Sequence, residues 1–279
     1  MPLTKLKNFF TECADAIREK AGTTEKMKPD QMAFNISSIY TEPPYPQGEY
    51  FGVTSGNECL GYTFYGMLPT GRFRQDTKVN YIFLLEDITE IPDNFCYYAK
   101  NLGVLVYNGQ ITKLGKSAFA SSTITKFVSN KDGDNNNIPA GVTEIPDNCF
   151  QYCTGLTDLN LHDNITTIGM YAFGLSAVGL TIKNTELPAS LETVGNGAFS
   201  NQQIPFTKIP KNVKTINANA FSSNYALTTL TFEGTPTSIG TAFQNCNNLT
   251  TINVPWAEGA VSGAPWGATN ATINYNYTT

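Results

Sequence analysis

From about residue 88 onward, apolar residues return in a fixed figure. Each copy opens on an apolar-Thr-x-apolar box: Ile88-Thr89-Glu90-Ile91, Ile111-Thr112-Lys113-Leu114, Val142-Thr143-Glu144-Ile145 and Ile165-Thr166-Thr167-Ile168. Weaker copies stand at 191–194 and 213–216, and a last one ends at Ile239. Pro or Gly usually follows, and a step of small residues then leads to a large apolar anchor. The anchors are Phe119, Phe150, Phe173, Phe199, Phe221 and Phe243; in the first unit Cys96 takes the slot, with Phe95 beside it. Behind the anchor comes a Leu-Thr-x-Leu type segment, as in Leu227-Thr228-Thr229-Leu230 and Leu249-Thr250-Thr251-Ile252. Successive anchors lie 23, 31, 23, 26, 22 and 22 residues apart. The two long steps are insertions into one tight period.

A unit this short cannot bury its own apolar face, so the copies must stack and share one core. Period-2 alternation from Leu227 to Phe232 predicts a strand, and the boxes, too short for helices, predict a second extended segment. The small-residue step (Ser117-Ala118-Phe119, Tyr171-Ala172-Phe173) predicts a helical turn that drops the ring into the stack. The expected fold is a right-handed-type repeat solenoid, mainly short β-strands with helical turns. About seven copies over residues 88–254 give a ladder roughly 30–35 Å long at a strand spacing of ~4.8 Å.

The flanks read differently. Leu3, Leu6, Phe10, Cys13 and Ile17 form a 3-4-3-4 seam with the charges largely off it, which predicts a helix. Gly22 ends it, and Lys28-Pro29-Asp30 opens a shorter one through Ile39. Residues 1–40 are therefore an α-helical hairpin, either a cap on its own chain or a module that docks on a partner or on a second copy through Leu3, Leu6, Phe10 and Ile17. Residues 41–87 hold a stiff Pro43-Pro44-Tyr45-Pro46 linker and a Tyr-, Phe- and Gly-rich stretch with a strand at 79–84. That stretch is a small β element or an N-terminal cap. Residues 255–279 form a C-terminal cap: Trp256 and Trp266 cover the open end of the stack, with carbohydrate stacking as their alternative role, and 272–275 supply a last strand.

Composition narrows the function. Of 279 residues, 35 are Thr and 28 Asn while only 15% are charged, a bias suited to half-buried strands and dense turns. No run of ~18 apolar residues exists to span a membrane. A net charge of −5 gives no footprint for nucleic acid. His162 is the single histidine, which excludes multi-histidine metal sites, and beside Asp163 it cannot form a base–orienter pair. Six cysteines show no metal spacing; four fall on or beside core slots and read as buried free thiols. The N-terminus carries no secretory signal pattern, so assembly in the cytoplasm is expected.

The strings IPDNCFQYCTGLTDLNL and SIGTAFQNCNNLTTINVP resemble the bacterial surface-antigen (BspA-like) subclass of leucine-rich repeats over residues 88–254. That resemblance implies Cys153 and Cys246 at positions where the subclass often carries Cys. The N-terminal string ADAIREKAGTTEKMKPDQMAFNISSI resembles a module of tail-associated proteins from phages infecting gut Firmicutes. The string VPWAEGAVSGAPWGATNATINYN resembles the closing segment of leucine-rich-repeat proteins from the same phages.

Together these imply a phage virion structural protein, an exterior tail-associated adhesion or receptor-binding subunit. Its helices would contact other virion proteins and its solenoid a host cell-surface glycan or protein. The alternatives are a bacterial cell-surface adhesin and, further off, a polysaccharide-degrading tailspike. No catalytic, cofactor or metal residues are expected. Glu90, Lys113 and Glu144 share one repeat position and read as a charge ladder rather than a glycosidase pair. The run Asp132-Gly133-Asp134-Asn135-Asn136-Asn137 lacks the Gly and Glu of a calcium loop and reads as a solvated insertion, with a Ca²⁺ site as its alternative. Tyr97, Tyr98, Tyr152 and Tyr225, just behind anchors, are the candidate binding surface, with packing between turns as their other reading.

Overall fold

The computed structural model describes residues 49–50, 54–55, 58–59, 61–64, 68–77, 79, 81–84, 88–107, 111–129, 138–157, 159–175, 182, 186–204 and 206–278. The helical hairpin expected over 1–40, with Leu3, Leu6, Phe10 and Ile17, lies outside these residues, as does the 132–137 run.

Each box places one residue outward and the next inward, so its two-residue strand can only pair with the same box of the next coil. The strands Glu144–Ile145, Thr167–Ile168, Thr193–Val194, Thr215–Ile216 and Ser238–Ile239 form one parallel sheet in that order. Ile145 faces Ile168 and Ile168 faces Val194 across the rungs. Glu90–Ile91 pairs in the same way with Lys113–Leu114. The inward residues of all these boxes are buried.

A second face of short parallel strands runs through Gly61–Phe64, Tyr81–Leu84, Val104–Tyr107 and Lys126–Ser129. It continues, after a Leu159–Ile182 bridge, through Lys208–Ile209, Thr229–Phe232, Thr251–Asn253 and Thr272–Asn274. The stacked coils therefore begin before Ile88, with Phe73 in the anchor slot of an earlier coil that lacks a legible box. Glu49–Tyr50 pairs antiparallel with Gly61–Phe64, on the N-terminal edge of that sheet.

The segment around the anchor is not helical, and no helix occurs among the described residues. The expected helical turns are replaced by a turn in which amides alternate between two partners. In the Phe150 coil, the amides of Cys149, Gln151 and Cys153 donate to the carbonyls of Pro146, Asn148 and Phe150 within the coil. The amides of Asn148, Phe150 and Tyr152 donate to Met170, Ala172 and Gly174 of the next coil. A helix spends its amides on carbonyls four residues back; here half of them stitch coil to coil. The geometry needs left-handed backbone two residues before and two after the anchor. Asn148 and Tyr152, Ser117 and Ser121, and Asn219 and Ser223 are such pairs.

This stitching stacks the anchor rings. Phe119, Phe150, Phe173, Phe199, Phe221 and Phe243 form a continuous column, with centroids 5.4–5.6 Å apart and planes within 14° of parallel. All six are buried. Cys96 occupies the anchor slot of its coil: its amide donates to Ala118 and the Phe73 amide donates to Phe95. At the far end the Phe243 amide reaches the Trp266 carbonyl. There Trp256, Trp266 and Phe232 close the core with rings 5.2–6.1 Å apart. Both indoles are buried, so neither presents a face for sugar stacking.

Close coil approach also explains the Gly that follows several boxes. A Cβ on Gly195 would stand 2.5 Å from the carbonyl carbon of Gly169 in the preceding coil. The Thr and Asn bias has a related cause. Thr112 and Thr166 hydroxyls donate to Thr89 and Thr143 carbonyls, and the Asn164, Asn212 and Asn270 amides to Ala140, Ala189 and Asn247. Short polar side chains thus bind carbonyls of the coil below, as backbone groups there require.

Candidate functional site

The four residues behind each anchor form a turn edge with a fixed division of labour. The third is turned inward: Cys153 and Cys246 donate their thiols to the Phe119 and Phe221 carbonyls at 2.9 and 3.1 Å, and Gln202 donates to the Phe173 carbonyl at 2.7 Å. Burial pushes the Cys153 thiol up to about 12, against the opposing hydrogen bonds from Ser122 and the Lys100 charge. Cys96, Cys149 and Cys246 are likewise raised, first of all by burial. The Cys153 and Cys246 thiols are weak donors that bind carbonyls, and the raised thiols are poor nucleophiles.

The other residues of the edge face solvent, and here lie the tyrosines. Tyr98 and Tyr152 hold the second position behind Cys96 and Phe150, two coils apart in one column with Ser121 between them. They are 45% and 47% exposed. Tyr97 neighbours Tyr98 at 6.1 Å between ring centroids. Tyr225, 47% exposed, holds the fourth position behind Phe221, so it belongs to a different column three coils further along. The structure brings Tyr97, Tyr98 and Tyr152 together and leaves Tyr225 apart.

Two cations join this patch. The Lys100 ammonium lies 3.9 Å above the Tyr98 ring and donates to the Ser121 carbonyl at 2.8 Å. The Arg74 guanidinium lies 5.5 Å from the Tyr97 centroid. Sequence reading missed both. Lys100 was findable as the fourth residue behind Cys96; Arg74 was not, because the coil around Phe73 has no box. From the Cys96 coil onward the four residues behind each anchor, Tyr97 to Asn247, contain no Asp or Glu; the Phe73 coil, which supplies Arg74, carries one acid there, Asp76.

On the box side acids pair with lysines. Glu90 and Lys113 pair at 3.2 Å, and Glu192 and Lys214 at 2.8 Å, exposed contacts of little individual weight. Lys116 reaches Asp147 at 3.0 Å. Burial raises the Asp147 carboxyl, but the Lys116 hydrogen bond, the Met170 amide and the Lys116 charge outweigh it and leave it below its ordinary value. His162 is held within the coils: Nε2 lies 3.0 Å from the Pro139 carbonyl, and Nδ1 accepts the Asn164 amide at 3.2 Å. The tautomer protonated at Nε2 satisfies both. Among the described residues no group of three His, Cys, Asp or Glu side chains could hold a metal ion.

The BspA type leucine rich repeat region matches the chain in six copies over residues 67–140 and 176–258. No curated protein matches. Among solved structures, the chain is similar to a leucine rich cell surface protein from Faecalibacterium prausnitzii, at 18% identity over 81% of this chain and 86% of that one, with a TM-score of 0.36. It is also similar to a leucine-rich repeat protein from Eubacterium ventriosum (16% identity, 77% and 72% covered, TM-score 0.34). The pneumococcal vaccine antigen PcpA gives 16% identity, 75% and 54% covered, and a TM-score of 0.42.

Proposed function

The chain belongs to the BspA-type leucine-rich-repeat family, and from that premise we propose that it is a non-catalytic adhesion protein whose solenoid presents the tyrosine edge to a cell surface. The observation that carries this reading is the exposure of Tyr98, Tyr152 and Tyr225 on a scaffold whose other aromatic anchors are buried. Repeat stacks present long surfaces of this kind, and tyrosine gives large contact area at low entropic cost.

The protein is displayed on the exterior of a phage tail, attached through residues 1–40. What supports this placement is the resemblance of the N-terminal segment and of residues 254–276 to segments of phage tail-associated proteins. Leu3, Leu6, Phe10 and Ile17 are the proposed docking seam toward other virion proteins or a second copy.

The test is direct adhesion. Fluorescently labelled full-length protein should bind host cells saturably, and the Tyr98→Ala/Tyr152→Ala/Tyr225→Ala variant should bind at least tenfold more weakly while melting as the parent does. Saturable binding that ignores the tyrosines would move the surface elsewhere; no binding would end the adhesion reading. Gold-labelled antibody on purified particles and on bacterial walls separates virion display from a cell-surface adhesin. Release of oligosaccharide from host capsule or wall glycan would overturn the non-catalytic assignment.

A further inference from the structure

We infer that the edge formed by Arg74, Tyr98, Lys100 and Tyr152 binds an extended acidic polysaccharide laid across successive coils. The inference rests on the adhesion reading and names its ligand.

Backbone strain is the first support. Tyr98 and Tyr152 stand at φ +61° and +55°, a region that bulky side chains occupy at a cost. The fold demands that conformation behind every anchor; Gln75, Ser121, Asn201, Ser223 and Asn245 meet it with small or polar side chains, while Leu175, one coil beyond Tyr152, bears the same cost with an aliphatic one. Both tyrosines stay about half exposed, so burial offsets only part of the cost. Strain that packing offsets only in part points toward function.

Spacing is the second. The ladder hydrogen bonds of Tyr98, Ser121 and Tyr152 place these residues in one column on consecutive coils. A coil is ~4.8 Å thick, about the length of one pyranose ring in an extended chain. Alternate sugars therefore fall over Tyr98 and Tyr152, with the intervening sugar against the hydroxyl of Ser121.

Charge is the third. The chain is acidic as a whole, yet this edge carries no acid from Tyr97 onward; its N-terminal end holds two cations, Arg74 and Lys100, against one acid, Asp76. Lys100 already lies on one face of Tyr98, which puts an ammonium where a sugar carboxylate or phosphate would arrive. Arg74, beside Tyr97, supplies a fork for a second anionic group. Among the described residues no ring or cation stacks on Tyr152, and 47% of it is exposed to a ligand.

The experiment is calorimetric titration of the full chain with fragments of polygalacturonate, alginate and hyaluronan, with dextran and a cello-oligosaccharide as uncharged comparators. At least one acidic polymer should bind, and binding should weaken with added salt. Lys100→Gln and Tyr152→Asn should each lower its affinity at least tenfold. Tyr152→Asn should also melt at the same temperature as the parent or higher, because Asn tolerates the left-handed backbone. Absence of binding to every acidic polymer, equal binding of the uncharged ones, or an unchanged affinity in Tyr152→Asn would overturn the assignment. A melting loss of several degrees in that variant would do the same, since the ring would then be a packing element. If these tests fail while the parent still adheres saturably to host cells, the ligand class falls and the adhesion reading stands.

Discussion

Replacing Phe173 by Ala removes the third ring of a six-ring column. Phe173 is fully buried and lies face to face with Phe150 at 5.6 Å and with Phe199 at 5.4 Å. Truncation of a buried Phe to Ala costs about 3–5 kcal/mol through lost transfer energy and the cavity left behind. Two aromatic contacts disappear together, each worth about 0.5–1.5 kcal/mol beyond area, so the upper half of the range applies. The coils cannot close the gap, because the amides of Tyr171, Phe173 and Leu175 fix their spacing to the next coil. For a folded unit of this size the expected fall in Tm is about 10 °C, read by circular dichroism and checked by urea titration. The transition should also broaden, since a weak coil in a nearest-neighbour stack uncouples the two halves. Phe243→Ala is the internal comparison: its ring stacks on one side only, against Phe221, and its loss should be smaller. A shift below 2 °C for Phe173→Ala, or an equal shift for both, would refute the column as the source of stability.

Gly195→Ala should lose about 1–3 kcal/mol in urea titration, since its Cβ meets the Gly169 backbone and two coils must part; an unchanged midpoint would show that the coils are not held at that distance. Iodoacetamide at pH 8 followed by peptide mapping should leave Cys96, Cys149, Cys153 and Cys246 unlabelled in the folded protein and label all four in guanidinium, as burial of the raised thiols requires. Rapid native labelling of Cys153 would contradict its place against the Phe119 carbonyl. The Asp147 carboxyl is depressed in the folded chain, so its contribution is present above the unfolded value and fades as pH falls through the folded one. Parent and Asp147→Asn should therefore differ in stability at neutral pH and converge well below pH ~4; a gap that persists at pH 2 would assign the effect to something other than ionisation.

The repeating parts of this fold were legible because one physical constraint recurs: the same side chain must meet its copy one coil away. The box, the anchor and the Pro-or-Gly step all announced themselves by period, and Cys96 could be placed in the anchor slot before any coordinates. The turns were misread as helical because small residues before a Phe suit a helix equally well. What distinguishes them is where the amides of Asn148, Phe150 and Tyr152 go, and a single coil viewed alone does not contain that partner. The Phe73 coil was missed for the opposite reason: its rung is made by backbone pairing with the Phe95 coil, with no box to mark it. At the candidate site the tyrosines could be found from their offset behind the anchors. Their left-handed backbone and the approach of Lys100 to Tyr98 exist only once the coils are stacked.

Each column along the solenoid answers to a different force, and this separates stability from recognition. Anchor and box columns are fixed by burial, the Gly column by the distance between coils, and the third position behind the anchor by a carbonyl that needs a donor. Cys153, Gln202 and Cys246 meet that need with different chemistry, while the Cys96 coil places the donorless Ala99 there, so the position asks for an inward small or donor side chain rather than for a thiol. The second and fourth positions answer to none of these demands beyond a tolerated backbone. Ser121, Tyr152, Asn201 and Tyr225 can differ from coil to coil while every ladder hydrogen bond beneath them stays in place. A surface built in this way can change its ligand by substituting edge residues singly, at the cost of local strain where the new side chain is bulky. Tyr98, Tyr152 and Leu175 carry that strain, and the anchors below them, Cys96, Phe150 and Phe173, are all fully buried.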